Sequence, residues 1–333
     1  MIPSRQKLRK VFCSLAVMTV FLPLPFAHAA ENQSSAKLEK LTLLLDWFVN
    51  PDHAPLIVAK EKGFFAEEGL DIRLEAPADP NDPPKLVAAE KADLAISYQP
   101  ALHLQIEQKL PLMRLGTLIA TPLNTLIVLE DSPIKTLSDL KGKKIGHSVG
   151  GFEDALLIAL LKEGGLSVED VEKINVNFAL SSSLLSGQVD AIIGGYRNFE
   201  LNQLDIEGRP GRAFYVEAHG VPSYDELIII AHKDAYQDPV KKDHFMRFLS
   251  ALEKATQYLI NHPDESWKLF LKAHPDLDNE LNKRAWRDTL PRFALRPIAH
   301  DQNRYKRFAA FLKDSGLITT LPPVETYAPM ITD

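Results

Sequence analysis

Four short clusters combine rings, amides and carboxylates as a small-molecule site requires: Asp46-Trp47-Phe48-Val49-Asn50, Ser97-Tyr98-Gln99, Gly150-Gly151-Phe152-Glu153 and Gly194-Gly195-Tyr196-Arg197-Asn198-Phe199-Glu200. The Trp47 indole either lies flat against a planar ligand or packs an interface. Tyr98 and Tyr196 occupy equivalent places in two similar stretches of chain. Aromatic faces from two sides would sandwich a flat heterocycle, contributing about 0.5–1.5 kcal/mol beyond the buried area. Glu200, with Asn198 beside it, can accept a charge-assisted hydrogen bond from an exocyclic amine or a protonated ring nitrogen. It can equally pair with Arg197. Glu153 and Asp154 fall in the first turn of a helix, where acids complement the dipole. The same two acids oppose an anion at that terminus. His53 offers a donor and an acceptor at neutral pH, or merely adjoins a helix start.

This chemistry is binding chemistry. The only cysteine is Cys13, and the histidines have no metal-ligand spacing. No Gly-rich phosphate cradle or G-x-S-x-G elbow occurs. The expectation is therefore no catalytic residue, no metal and no cofactor. A net charge of −6 argues against nucleic acid as a partner, because phosphate contacts need basic stripes.

The clusters must be held by strand ends. Residues 41–45, 70–75 and 93–97 read as buried strands, separated by helices over 53–68 and 85–90. Pro55 lies in the first turn of the 53–68 helix, and Gly69 is its stop. The phrase recurs: strands 143–149, 174–178 and 190–193 alternate with helices 152–162 and 182–186. A short helix, a turn, an aspartate and a strand appear at Leu86 to Ile96 and again at Leu184 to Ile193. Such alternation predicts α/β lobes with mostly parallel sheets. A run over 227–231 follows, then helices over 238–260, 264–273, 277–289 and 301–315. These predict lobe 1 from residues 39–124 and 225–333, and lobe 2 from 125–224, with crossings near 121–128 and 219–227. Ligands in such folds bind at carboxyl ends of strands.

The first residues address the chain. Arg5, Lys7, Arg9 and Lys10 precede an apolar run over 11–24, and Ala27-His28-Ala29 is an A-x-A site. This predicts a signal peptide over residues 1–29, cleaved near Ala29/Ala30, then a flexible lead-in over 30–38. Removing four bases and no acids takes the charge from −6 to −10, and removes Cys13. With no cysteine at the cleavage point for a lipid, the expected product is soluble in the periplasm.

The stretch Leu44-Leu45-Asp46-Trp47, Asn50 and His53 to Leu70, together with Leu137 to Gly146 and Gly194 to Glu200, resembles the thiamine-pyrimidine family over roughly residues 40 to 290. Wider relatives that bind taurine, alkanesulfonates or nitrate share much of the first motif. The resemblance implies a type II periplasmic-binding-protein fold, two lobes with a cleft between. One branch of the family is a receptor for N-formyl-4-amino-5-aminomethyl-2-methylpyrimidine or hydroxymethylpyrimidine, serving the permease and ATPase subunits of an ABC importer as a monomer. The other is a pyridoxal-phosphate-dependent, iron-using hydroxymethylpyrimidine phosphate synthase. The synthase needs a lysine and a histidine after the strand ending at Ile96, and a Cys-rich run. Ser97, Ala101 and residues 221–226 stand there instead. For the receptor, the resemblance implies that Trp47 and a tyrosine, Tyr98 or Tyr196, flank the ring. It implies that Asn50, Asn198 and Glu200 reach the ring nitrogens. Asp46, His53, Ser97, Gly151 and Glu153 complete the expected ligand-binding set. A receptor for another solute, such as a sulfonate or riboflavin, is the alternative.

Overall fold

The computed structural model describes residues 37–331; the expected signal peptide and most of the lead-in lie outside them. Among the described residues, ten strands form two five-stranded sheets. They are β1 (Glu39–Leu44), β2 (Leu70–Glu75), β3 (Leu94–Ser97), β4 (Leu112–Ile119), β5 (Asn124–Leu129), β6 (Lys144–His147), β7 (Glu172–Asn175), β8 (Ala191–Tyr196), β9 (Gly211–Tyr215) and β10 (Leu227–His232). One sheet runs β2-β1-β3-β10-β4 and the other β7-β6-β8-β5-β9. The orders correspond strand for strand. In each sheet four strands share one direction, and one strand arriving from across the molecule runs antiparallel in fourth place.

The repeated aspartate has a physical role in both lobes. Asp93 exchanges bonds with Thr42 of β1: its backbone N–H donates to the Thr42 carbonyl, and its carboxylate accepts from the Thr42 N–H at 2.9 Å. Asp190 does the same to Lys144 of β6, with its carboxylate bond at 2.8 Å. A short acceptor just ahead of a strand extends the ladder by one pair and fixes the register.

Helices cover both sheets. Asp238 caps the helix Pro239–Asn261 by accepting from the N–H groups of Val240 and Lys241 at 2.8 and 3.0 Å. Its buried residues, among them Phe245, Phe248, Leu249, Leu252 and Leu259, recur at helical spacing and face the first lobe. The expected helix over 53–68 is instead two, Ala54–Glu61 and Phe64–Glu67. Gly63 between them has φ of 78°, which costs glycine little and ends the first helix. Strands β4, β5 and β9 and the helix Gln99–Glu107 have no counterpart in the sequence reading.

The two crossings are stapled to one another. Glu226, fully buried ahead of β10, accepts from the backbone N–H groups of Leu123 and Asn124 at 2.6 and 2.9 Å. Burial raises its carboxyl to about 7. Glu226→Ala strands two buried donors and should cost about 2–4 kcal/mol. Urea unfolding checks this: the midpoint should fall with little change in slope.

Candidate functional site

Every wall of the cleft begins at a strand end. Past β1, Asp46 turns inward while Asn50 caps the short turn Pro51–His53, accepting from the Asp52 N–H at 2.8 Å. The Asn50 N–H donates to His53 Nδ1 at 3.3 Å. That bond leaves the proton on Nε2, which lies 2.9 Å from Asp46 Oδ1. Tyr98, past β3, donates its hydroxyl to Asp46 Oδ2 at 3.0 Å. Asp46 is thus held by two donors, and His53 is a buried positioning residue.

The second lobe supplies the facing wall. Glu153, in the first turn of the helix Phe152–Glu163, folds back to accept from the Ser148 N–H at 2.8 Å. Burial pushes its carboxyl well above the usual range. Asp154 points outward to Lys173 at 2.7 Å, so the two neighbouring acids have separate roles. Gly194 makes room for Glu153: its φ is +95°, and a Cβ there would stand 2.7 Å from the Glu153 carboxyl carbon. Glu200 opens the helix Glu200–Ile206 and accepts from the Tyr196 N–H at 2.6 Å. Burial, with Asp52 adding repulsion, raises it to about 7. Arg197 makes no pair with it; its guanidinium takes Glu217 through both terminal nitrogens at 2.6 and 2.8 Å.

These groups line a narrow cavity of about 30 Å3, bounded by Asp46, Trp47, Asn50, Asp52, Tyr98, Val149, Phe152, Glu153, Leu180, Gly194, Tyr196, Phe199 and Glu200. Its volume matches a few water molecules at most, so anything larger needs the cleft to open. Four of the lining residues are carboxylic acids and none is cationic. Tyr98 stacks on Phe152 across the cleft, with centroids 4.6 Å apart and planes at 23°. Trp47 meets Phe178 edge-on at 4.6 Å, and the exposed Phe48 also covers Phe178.

Of the expected residues, Asp46, Trp47, Asn50, Tyr98, Glu153, Tyr196 and Glu200 share this wall. Ser97 and Gly151 line an adjoining cavity. Asn198 stands behind the wall, its amide nitrogen donating to Asp52 at 2.6 Å and to Thr289 Oγ1 at 2.7 Å. Asp52 is absent from the sequence reading. Burial outweighs its hydrogen bonds and raises its carboxyl to about 6. The signal was its place between Pro51 and His53, in a loop already suspected.

The lobes are fastened on both flanks. Asn198 reaches from the second lobe to Asp52 on one side. On the other, Asn81 donates to the Ser148 carbonyl at 3.2 Å and accepts from the Gly150 N–H at 3.0 Å. Asp79 Oδ1 presets that residue, accepting from its backbone N–H at 2.8 Å and from its amide nitrogen at 2.9 Å. Asn81→Ala should therefore weaken ligand retention by about 1–2 kcal/mol, mainly in the off-rate. Stopped-flow dissociation is the check.

Comparison with solved structures defines the class. The alkanesulfonate-binding protein SsuA from Xanthomonas axonopodis pv. citri superposes with a TM-score of 0.70 over 88% of this chain and 99% of that one, at 16% identity. The fold is that of the periplasmic binding proteins. Sequence narrows it further. The family described as NMT1/THI5 like matches residues 50–266. A Haemophilus influenzae protein named for thiamine biosynthesis is 52% identical, covering 94% of this chain and 96% of its own. The formylaminopyrimidine-binding protein of Halalkalibacterium halodurans is 31% identical over 78% of each. The chain belongs to the NMT1/THI5-like family.

Proposed function

We propose that this protein is the periplasmic receptor of an ABC importer and captures a thiamine-precursor aminopyrimidine by closure of its lobes. One observation carries the reading: four buried carboxyl groups and no cation surround a slot walled by aromatic rings. An anionic sulfonate would find no cation in that wall to neutralise it. An aminopyrimidine offers amine donors and a basic ring nitrogen. A carboxyl group held near 7 exchanges a proton with such a nitrogen at little cost. Tyr98 is committed by its face to Phe152 and by its hydroxyl to Asp46, so Tyr196 is the tyrosine left to oppose Trp47 across the ring. Asn50 and Glu200 address the ring's polar edge. The synthase alternative lacks its lysine and histidine, since Ser97 and Ala101 occupy those places. The name of the Halalkalibacterium halodurans relative supports the same ligand class.

Native mass spectrometry of freshly purified protein tests the reading. Denaturation should release a species with the mass of an aminopyrimidine. Release of a sulfonate or of pyridoxal phosphate would overturn it.

A further inference from the structure

Asp52 is the lining acid whose chemistry is still unspent. It lies in the turn Pro51–His53 of the first lobe, is only 2% exposed, and lines the slot. Its Oδ1 accepts from Asn198 Nδ2 of the second lobe at 2.6 Å and from Thr289 Oγ1 at 2.8 Å. No protein donor among the described residues reaches its Oδ2. Unlike the amide oxygen of Asn198, that atom is not sealed in the interior, so it faces the slot. The other acids are committed differently. Asp46 gives Oδ1 to His53 Nε2 at 2.9 Å and Oδ2 to the Tyr98 hydroxyl at 3.0 Å. Glu153 turns back to the Ser148 N–H. Glu200 faces the slot from the second lobe with Oε2 on the Tyr196 N–H. Asp52 stands near enough to Glu200 to repel it across the lobes.

We propose that Asp52 is a specificity-determining residue: Oδ2 accepts from an amine on the bound ring while Oδ1 holds the second lobe through Asn198. The proposal rests on the pyrimidine reading above. An ionised carboxylate can only accept. An exocyclic amine supplies the donor that Oδ2 lacks. A carbonyl oxygen in the same place would set acceptor against acceptor and leave a buried charge unpaired. The slot therefore selects an amino ring over its deaminated, oxo counterpart. The ligand donor also offsets the repulsion between Asp52 and Glu200. One carboxylate thus joins ligand recognition to the bond that closes the lobes.

Calorimetric titration of ligand-free refolded protein at pH 8 tests this, with 4-amino-5-hydroxymethyl-2-methylpyrimidine and its 4-oxo counterpart as probes. Wild type should prefer the amino compound by about tenfold or more. Asp52→Asn can keep its amide oxygen on Asn198 and Thr289 and turn its NH2 to the slot. It should melt no lower than wild type, yet bind the amino compound about tenfold more weakly and narrow the preference to about twofold or reverse it. Asn198→Ala removes the bond between lobes and leaves Oδ2 in place. Both compounds should then weaken by the same factor, about three- to tenfold, with the preference kept. Asp52→Ala has no polar atom on either side and should also lose the preference, so the test survives if Asp52→Asn misfolds. Equal affinities in wild type, or a preference unchanged in both Asp52 variants, would overturn the assignment and leave the pyrimidine reading standing. Failure of both compounds to bind wild type would overturn that reading, and the assignment with it.

Discussion

Glu200→Gln is expected to stabilise the ligand-free protein at pH 8 while weakening its hold on ligand. The buried Glu200 carboxyl is raised from 4.5 to about 7. The unfolded chain releases that proton near 4.5, whereas the folded chain keeps it until near 7. The folded state binds more protons across that window, so stability falls as pH rises through it. Above 7 the full cost stands, about 3 kcal/mol. Glutamine carries no such charge and can still accept from the Tyr196 N–H. The variant should therefore match wild type near pH 4.5 and exceed it at pH 8 in denaturant titrations. Its pyrimidine affinity should drop by about 1.5–3 kcal/mol, roughly 10- to 150-fold. Gain of stability with loss of binding marks a group kept for function. Unchanged affinity would make Glu200 a structural acid.

Gly194→Ala should damage fold and site together. The backbone there has φ of +95°, where an L side chain is strained, and the new Cβ would stand under 3.0 Å from the Glu153 carboxyl. Glu153 would have to leave the Ser148 N–H, stranding a buried donor. Strain and lost bond together should cost about 2–4 kcal/mol. Adding Glu153→Ala relieves the clash but not the backbone strain, so the double variant should recover part of the stability and none of the binding. Thermal melts of the single and double variants beside wild type settle the point. A single variant as stable as wild type would show that Gly194 is not there to admit Glu153.

The parts of this molecule readable from sequence are those whose cause is local. The helix, turn, aspartate and strand phrase repeats because each lobe needs an acceptor to register its third strand on its first, and Asp93 and Asp190 lie next to the strands they serve. Aromatic and acidic residues at strand ends were visible for the same reason. The missing strands depend on distant partners. β4 carries a fully buried Arg114, which breaks an apolar pattern and donates to the carbonyl oxygens of Pro297 and Ala299 from the far end of the chain. Glu226 reads as one acid in a polar run until folding brings Leu123 and Asn124 to it. Asn198 resembles a ligand residue in sequence, yet its amide spans the lobes to Asp52 and Thr289. Nothing within twenty residues of it indicates those partners.

The central claim is that an acid-lined slot, walled by Trp47 and Tyr196, receives an aminopyrimidine. Its most direct test is calorimetric titration of refolded, ligand-free protein near neutral pH with hydroxymethylpyrimidine, its formylaminomethyl counterpart and taurine. Saturable one-site binding of at least one pyrimidine, at about micromolar affinity or tighter for a ligand of this size, with no heat from taurine, is the predicted result. Saturable taurine binding with silence from both pyrimidines would contradict it.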